Sequence, residues 1–404
     1  MTIPADNTLD VPAGVTIVIP SGKTLTNNGT ISGEGKIQVG GTLVNNGALG
    51  VADTEISSGG ALTNNDDGSV SGRVTNGGGT ITNAGTISGN VNNNSGTLEN
   101  TGTLSGNVNN SNGATLNNDT VGNITGTVTN AGGFTNAGTI KGNAAVTNTN
   151  SGTMTNSGTI NGNAAVTNSG TLTNNGTIGG AATVTNSGSG EITNNDTINT
   201  TGKVTNESGA KITNEVGKNI NSPVDNSGTI TNKGTLGGAV TNTGGGEITN
   251  NGTISGDLSS TGSGSTVTNE VGGTLSGNVA NTNSSVLINK GNINGTDKTV
   301  NNSGTLTNDG GITSSGGVNN TGTLTNNADK TIAAPVNNSG NGTVTNNGTL
   351  AGDVSNTGGG DINNNGTMRR KYKRYSLDKG IGSPVPLFCA LKTKWGIGPS
   401  VSAL

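Results

Sequence analysis

The 23 carboxylates are the most obvious source of chemistry in this sequence. A polysaccharide lyase or hydrolase needs two acids held together, or one acid beside a strong base. Here the acids are scattered. Asp66 and Asp67 are adjacent, and on a strand they would point to opposite faces. A regular repeat would bring Glu191, Lys211 and Glu247 onto one outward face, which reads as a solvated charge stripe. No nucleophile–base–acid set emerges, so no catalytic residue is assigned and no enzyme is expected. There is no His and a single Cys, Cys389, which excludes an internal disulfide and a Cys/His metal site. The segment GGGDINNN at 358–365 touches the calcium-binding nonapeptide pattern once, without repetition, and Gly-rich turns explain it. No GxxxxGK[ST] phosphate loop occurs. No metal and no cofactor is expected.

Three surface signals remain. Pairs such as Thr24/Thr26, Thr80/Thr82, Thr153/Thr155, Thr171/Thr173, Thr229/Thr231, Thr305/Thr307, Thr323/Thr325 and Thr343/Thr345 would line one face. Such arrays resemble the ice-binding face of some antifreeze proteins, whereas β-branched Thr also simply suits strands. Glu99, Asn117, Glu191, Lys211, Glu247 and Asp361 interrupt the array. Asn28-Gly-Thr30, Asn175-Gly-Thr177 and Asn251-Gly-Thr253 match the N-glycosylation pattern, but follow automatically from a recurring NNGT. The run Arg369, Arg370, Lys371, Lys373 and Arg374, with Tyr372 and Tyr375, could meet nucleic acid or an anionic membrane. A solvated, disordered tail accounts for it better.

What positions these residues is a repeat. Residues 153–184 read TMTNSGTINGNAAVTNSGTLTNNGTIGGAATV, with Met154, Ile160, Val166, Leu172, Ile178 and Val184 six residues apart. Each aliphatic sits between small or polar neighbours, the pattern of a very short strand with one side chain in and two out. The Asn and Gly that follow are expected to supply the positive φ of a corner. Three strands and three corners make one coil. First positions run from Leu25, Leu43 and Leu62 through Ile288 and Leu306 to Ile362, about 18.7 residues apart. A second face carries Ile31, Leu49, Val70, Ile87 and Leu104, and a third carries Val74, Val91, Val108, Val128 and Val146. The second corner is tight in ISGNV and two residues longer in IKGNAAV. The register is weakest at 286–300.

The sequence therefore predicts an all-β, three-sided parallel β-solenoid, a right-handed β-helix with about 18–20 residues per coil. A left-handed hexapeptide helix is the alternative, and the four- and eight-residue spacings disfavour it. Gly is 74 of 404 residues, aromatics are 1% and charged residues 10%. So few large apolar side chains cannot pack an ordinary core, and low charge with periodic aliphatics argues against disorder. Three buried aliphatics do not offset the ordering of a coil's backbone. Strand ladders and stacked Asn and Thr must supply the rest, and a single coil should not fold alone.

Residues 1–22 are expected to cap the solenoid, with apolar residues at Leu9, Val11, Val15, Ile17 and Ile19 and prolines at 4, 12 and 20. Residues 23–368 form the repeats. Residues 369–404 form a basic, non-repeating tail, disordered or truncated, with eight basic residues and one acid, Asp378, for a net +7. The preceding 368 residues carry −11, which argues against nucleic acid as a partner of the body. The opening MTIPADNTLD has neither a basic n-region nor an apolar h-region, so no signal peptide is read in it.

Coils of the TLTNNGTISGNV type, over residues 5–368, resemble the passenger regions of bacterial autotransporters and the filamentous-haemagglutinin class of adhesins. That resemblance implies a right-handed β-helix at the cell surface or secreted, attached to host or bacterial surfaces, glycans or other surfaces. No NPNL-type secretion motif, C-terminal β-barrel or LPxTG-type motif accompanies it, and no functional residues carry over. The reading is thus a non-enzymatic adhesin or stalk, with self-association through the solenoid ends as a further expectation. An ice-binding solenoid and a polysaccharide-acting β-helix are the alternatives.

Overall fold

The computed structural model describes residues 1–369 and, as backbone, the strand Tyr372–Tyr375. Among the described residues there are only strands and turns; none is helical. All of the strand pairings described are parallel and link one coil to the next. The chain divides into two compact units, Met1–Val240 and Thr241–Leu404. Over its described residues each is a three-sided parallel β-solenoid.

In the first unit the first-face column runs Leu25, Leu43, Leu62, Ile81, Leu98 and Leu116, then Phe134, Met154, Leu172, Ile192, Ile212 and Ile230. All of these side chains are buried. The second face stacks Ile31 to Leu236 and the third stacks Val74 to Val224 in the same way. Residues 1–22 form a coil of their own. Its strands Thr2–Ile3, Thr8–Asp10 and Thr16–Ile19 pair with the coil above, and Val15 and Val18 are exposed. In the second unit the first-face column is Ile248, Val267, Leu287, Leu306, Leu324, Val344 and Ile362. Here the expected register is corrected by one residue. Leu287 is buried, whereas Ile288 faces outward beside Thr268 and Thr307.

The reason is the Asn two places after the inward aliphatic. In the first unit Asn27, Asn45, Asn64 and their successors to Asn232 are buried, and from Asn27 to Asn214 each amide Nδ2 donates to Oδ1 of the Asn in the following coil. Asn174 shows the pattern. Its Nδ2 reaches Asn194 Oδ1 at 2.8 Å, the Gly176 carbonyl at 2.9 Å and the Thr197 carbonyl at 3.1 Å, while its Oδ1 accepts from Asn156 at 2.8 Å. A side chain with two donors and one acceptor is thereby used in full, and the inward corner carbonyls are satisfied away from water. A second ladder runs up the third face from Asn76 to Asn226. The second unit carries the first-face ladder from Asn250 to Asn364 and a third-face ladder from Asn281 to Asn356. Asn289 bonds Asn269 and Asn308 in this series. An inward Asn289 requires an inward Leu287, since side chains alternate along a strand.

Glycine acts at the corners in two ways, and only one was expected. At Gly102 the backbone is not left-handed. A Cβ there would overlap the carbonyls of Gly85 and Ala84 in the preceding coil, so glycine is required by the closeness of the coils. Gly106, in a tight second corner, lies in the same way against Gly89. Gly142, in the longer IKGNAAV corner, has φ +74° and open space around it, the role the sequence suggested.

The strand Tyr372–Tyr375 pairs with Val354–Thr357, one coil earlier. The basic patch at 369–375 otherwise has no described side chain beyond Arg369, and the remainder of 369–404 lies outside the described residues.

Candidate functional site

The scattered acids stay apart. Asp66 and Asp67 lie in an exposed turn rather than on a strand, so the opposite-face expectation does not apply. Glu191 and Lys211 do stack on adjacent coils, with Nζ to Oε1 at 3.2 Å and both side chains more than half exposed. Glu247 lies in the second unit. Asp361 begins a first-face strand opposite Thr343 and is exposed. Among the described residues no group of three or more Cys, Asp or Glu is placed to hold a metal ion.

One charged cluster is better built. On the first unit's third face, Asp53 is almost fully buried and accepts from Arg73 Nη2 at 2.6 Å and from Thr75 Oγ1 at 3.3 Å. Lys36 Nζ bonds Glu55 Oε1 at 2.8 Å. The hydrogen bond to Asp53, then its charge, raises Arg73 above the usual guanidinium value. Glu55 does the same for Lys36. Each base is held protonated and each acid is occupied, so the cluster clamps neighbouring coils and offers no free base.

The Thr columns are on the first face as the spacing predicted. One column of the first unit runs Thr135, Thr155, Thr173, Thr193, Thr213 and Thr231 without interruption. The column beside it carries Glu191 and Lys211 between Thr171 and Thr229. Asn28, Asn175 and Asn251 are exposed corner residues. Asn28 and Asn175 accept side-chain bonds from Asn46 and Asn195 at 2.7 and 2.8 Å.

A shallow groove of about 240 Å³ was not singled out by the sequence. It lies on the first unit's third face, lined by Asn90, Asn92, Asn107, Val108, Asn109, Thr127 and Thr129. Its coils are short: Asn76 to Asn93 and Asn93 to Asn110 are each 17 residues, against 20 from Asn110 to Asn130. The backbone N–H of Asn107 donates to Asn90 Oδ1, and that of Thr127 to Asn107 Oδ1, both at 3.1 Å. A visible signal was Asn92 and Asn109 standing where Thr75 and Thr129 stand in the flanking coils.

No family model matches this chain, and no curated protein matches it. Among solved structures it is similar to one described as the crystal structure of a TibC-catalyzed hyper-glycosylated TibA55-350 fragment. The sequences are 18% identical, the match covers 88% of this chain and 95% of that one, and the TM-score is 0.21.

Proposed function

We propose that this protein is a non-enzymatic attachment protein or stalk, displayed at a bacterial surface or secreted. It would offer repeated polar faces to host or bacterial surfaces. The observation that carries this reading is the outward chemistry. Columns of Thr and Asn recur coil after coil, and the described acids are dispersed, paired or exposed. Weak contacts repeated along such a face sum by multivalency. The likeness of the coils to autotransporter passengers and haemagglutinin-class adhesins supports the same reading.

The test is attachment of protein-coated beads to cells and glycan-coated surfaces. Deleting residues 153–190, two coils, should weaken attachment, while single outward changes such as Thr173→Ala should not. Equal attachment by bare and coated beads would sink the reading. The uninterrupted Thr135–Thr231 column is what an ice-binding plane needs, but Glu191 and Lys211 break the adjacent column. Thermal hysteresis that Thr171→Tyr abolishes would favour that reading. Release of products from a polysaccharide panel would favour an enzyme.

A further inference from the structure

We propose that the groove around Asn92 and Asn109 binds an uncharged saccharide, a specific contact within the attachment function proposed above, on which this inference rests. The argument begins with how amides behave elsewhere in the fold. In the second unit, outward Asn residues on the third face satisfy one another. Asn319 Nδ2 donates to Asn301 Oδ1 at 2.9 Å, Asn337 to Asn319 at 3.1 Å, and Ser355 Oγ to Asn337 Oδ1 at 2.9 Å. Asn92 and Asn109 hold the same strand position in adjacent coils and are directly opposite in register. Among the described residues neither makes a side-chain hydrogen bond. Their amides keep donor and acceptor open at the groove they line.

The flanking corner residues are set differently. The oxygens of Asn90 and Asn107 accept backbone N–H groups, which fixes which end of each amide is oxygen and leaves both Nδ2 groups as donors. The groove thus combines two committed amides, two open ones and two Thr hydroxyls, set over the strand whose Val108 points into the core. Hydroxyls that both donate and accept match this mixture. None of the lining residues is charged, so neither a phosphate nor a metal ion finds a counter-charge. An extended peptide finds no free strand edge, because the third-face strands here pair on both sides. The volume lies below the range of about 300–1,000 Å³ typical of enclosed small-molecule sites, which suits part of an oligosaccharide lying across the surface.

The test uses the full chain and three uncharged probes, maltohexaose, cellohexaose and chitohexaose, with titration calorimetry and saturation-transfer NMR. At least one should bind. Asn92→Leu and Asn109→Leu should each weaken it about tenfold, the scale of lost hydrogen bonds to a ligand. Asn319→Leu should leave it unchanged. The first two residues make no internal side-chain bond, so unaltered circular dichroism is expected for both variants. The proposal is overturned if none of the probes binds, if binding survives both changes, or if a heparin hexasaccharide binds equally through the same residues. Bead attachment separates the two readings. Attachment that persists without saccharide binding removes the groove alone, whereas saccharide binding without bead attachment removes the attachment function alone.

Discussion

Replacing Asn174 by Leu keeps the side chain's approximate size and removes one rung of the first-face ladder. Asn194 Oδ1 loses its donor at 2.8 Å, and the carbonyls of Gly176 and Thr197 lose theirs at 2.9 and 3.1 Å. Asn156 Nδ2 keeps the carbonyls of Gly158 and Thr177 at 3.3 and 3.2 Å. One buried acceptor is therefore orphaned outright, and at about 1–3 kcal/mol for such a group, with weakened carbonyl bonds added, the loss is about 2–4 kcal/mol. Asn27 is the internal control. Its own Oδ1 already lacks a partner, because Ile3 stands at the ladder position in the preceding coil. Asn27→Leu removes that orphan and creates another at Asn45, whose Oδ1 accepts from Asn27 at 2.8 Å. Its expected cost is under about 1 kcal/mol. Urea titration followed by circular dichroism gives the totals. Amide hydrogen exchange across residues 154–214 gives the local loss, which matters because coils need not melt together. Equal costs for the two variants, or no cost for Asn174→Leu, would refute the view that satisfied amides hold the coils together.

Gly102→Ala should cost about 3 kcal/mol or more, since its methyl meets two backbone carbonyls. Gly142→Ala, with open space but φ +74°, should cost about 1 kcal/mol; thermal melts distinguish them. Asp257 has its pKa lowered from the ordinary 3.8, first by the Asn278 backbone N–H at 2.9 Å and then by that side chain. A carboxyl depressed in the folded state contributes stability above its unfolded pKa, and this is lost as pH falls through the folded value. The urea midpoint should therefore drop as pH falls below the ordinary carboxylate value of 3.8, and Asp257→Asn should flatten that limb. A double-mutant cycle on Glu191 and Lys211, both largely exposed, should give a coupling below about 1 kcal/mol that vanishes in high salt.

The aliphatic columns were legible because each lone Leu, Ile or Val is isolated by polar neighbours. Where three apolar residues ran together, at Val286-Leu287-Ile288, that signal failed, and the position of Asn289 would have decided it. Positive φ, the reason expected of the corner glycines, holds at Gly142 but not at Gly102. The obstacle at Gly102 is the carbonyl of another coil, and no local pattern within one coil reports that distance. The third-face ladder starts at Asn76 for a reason also hidden in the sequence. Ile19, Val39 and Ile56 fill the same inward column before it, and the N–H groups of Gly78 and Gly79 cap Asn76 Oδ1. The groove went unnoticed because it lies where two 17-residue coils meet one of 20, and its one visible signal was the pair Asn92 and Asn109 in place of Thr.

Each Asn–Asn rung of these ladders hands an amide hydrogen forward, toward the higher-numbered coil. A chain emerging from the ribosome N-terminus first would thus leave a waiting donor at each growing tip, and the next eighteen or so residues would bring the acceptor to it. No earlier bond need be broken to add another turn. The unmatched oxygen of Asn27 is then a cost met once, at the start, and the polymerisation-like growth that follows repeats a single favourable step.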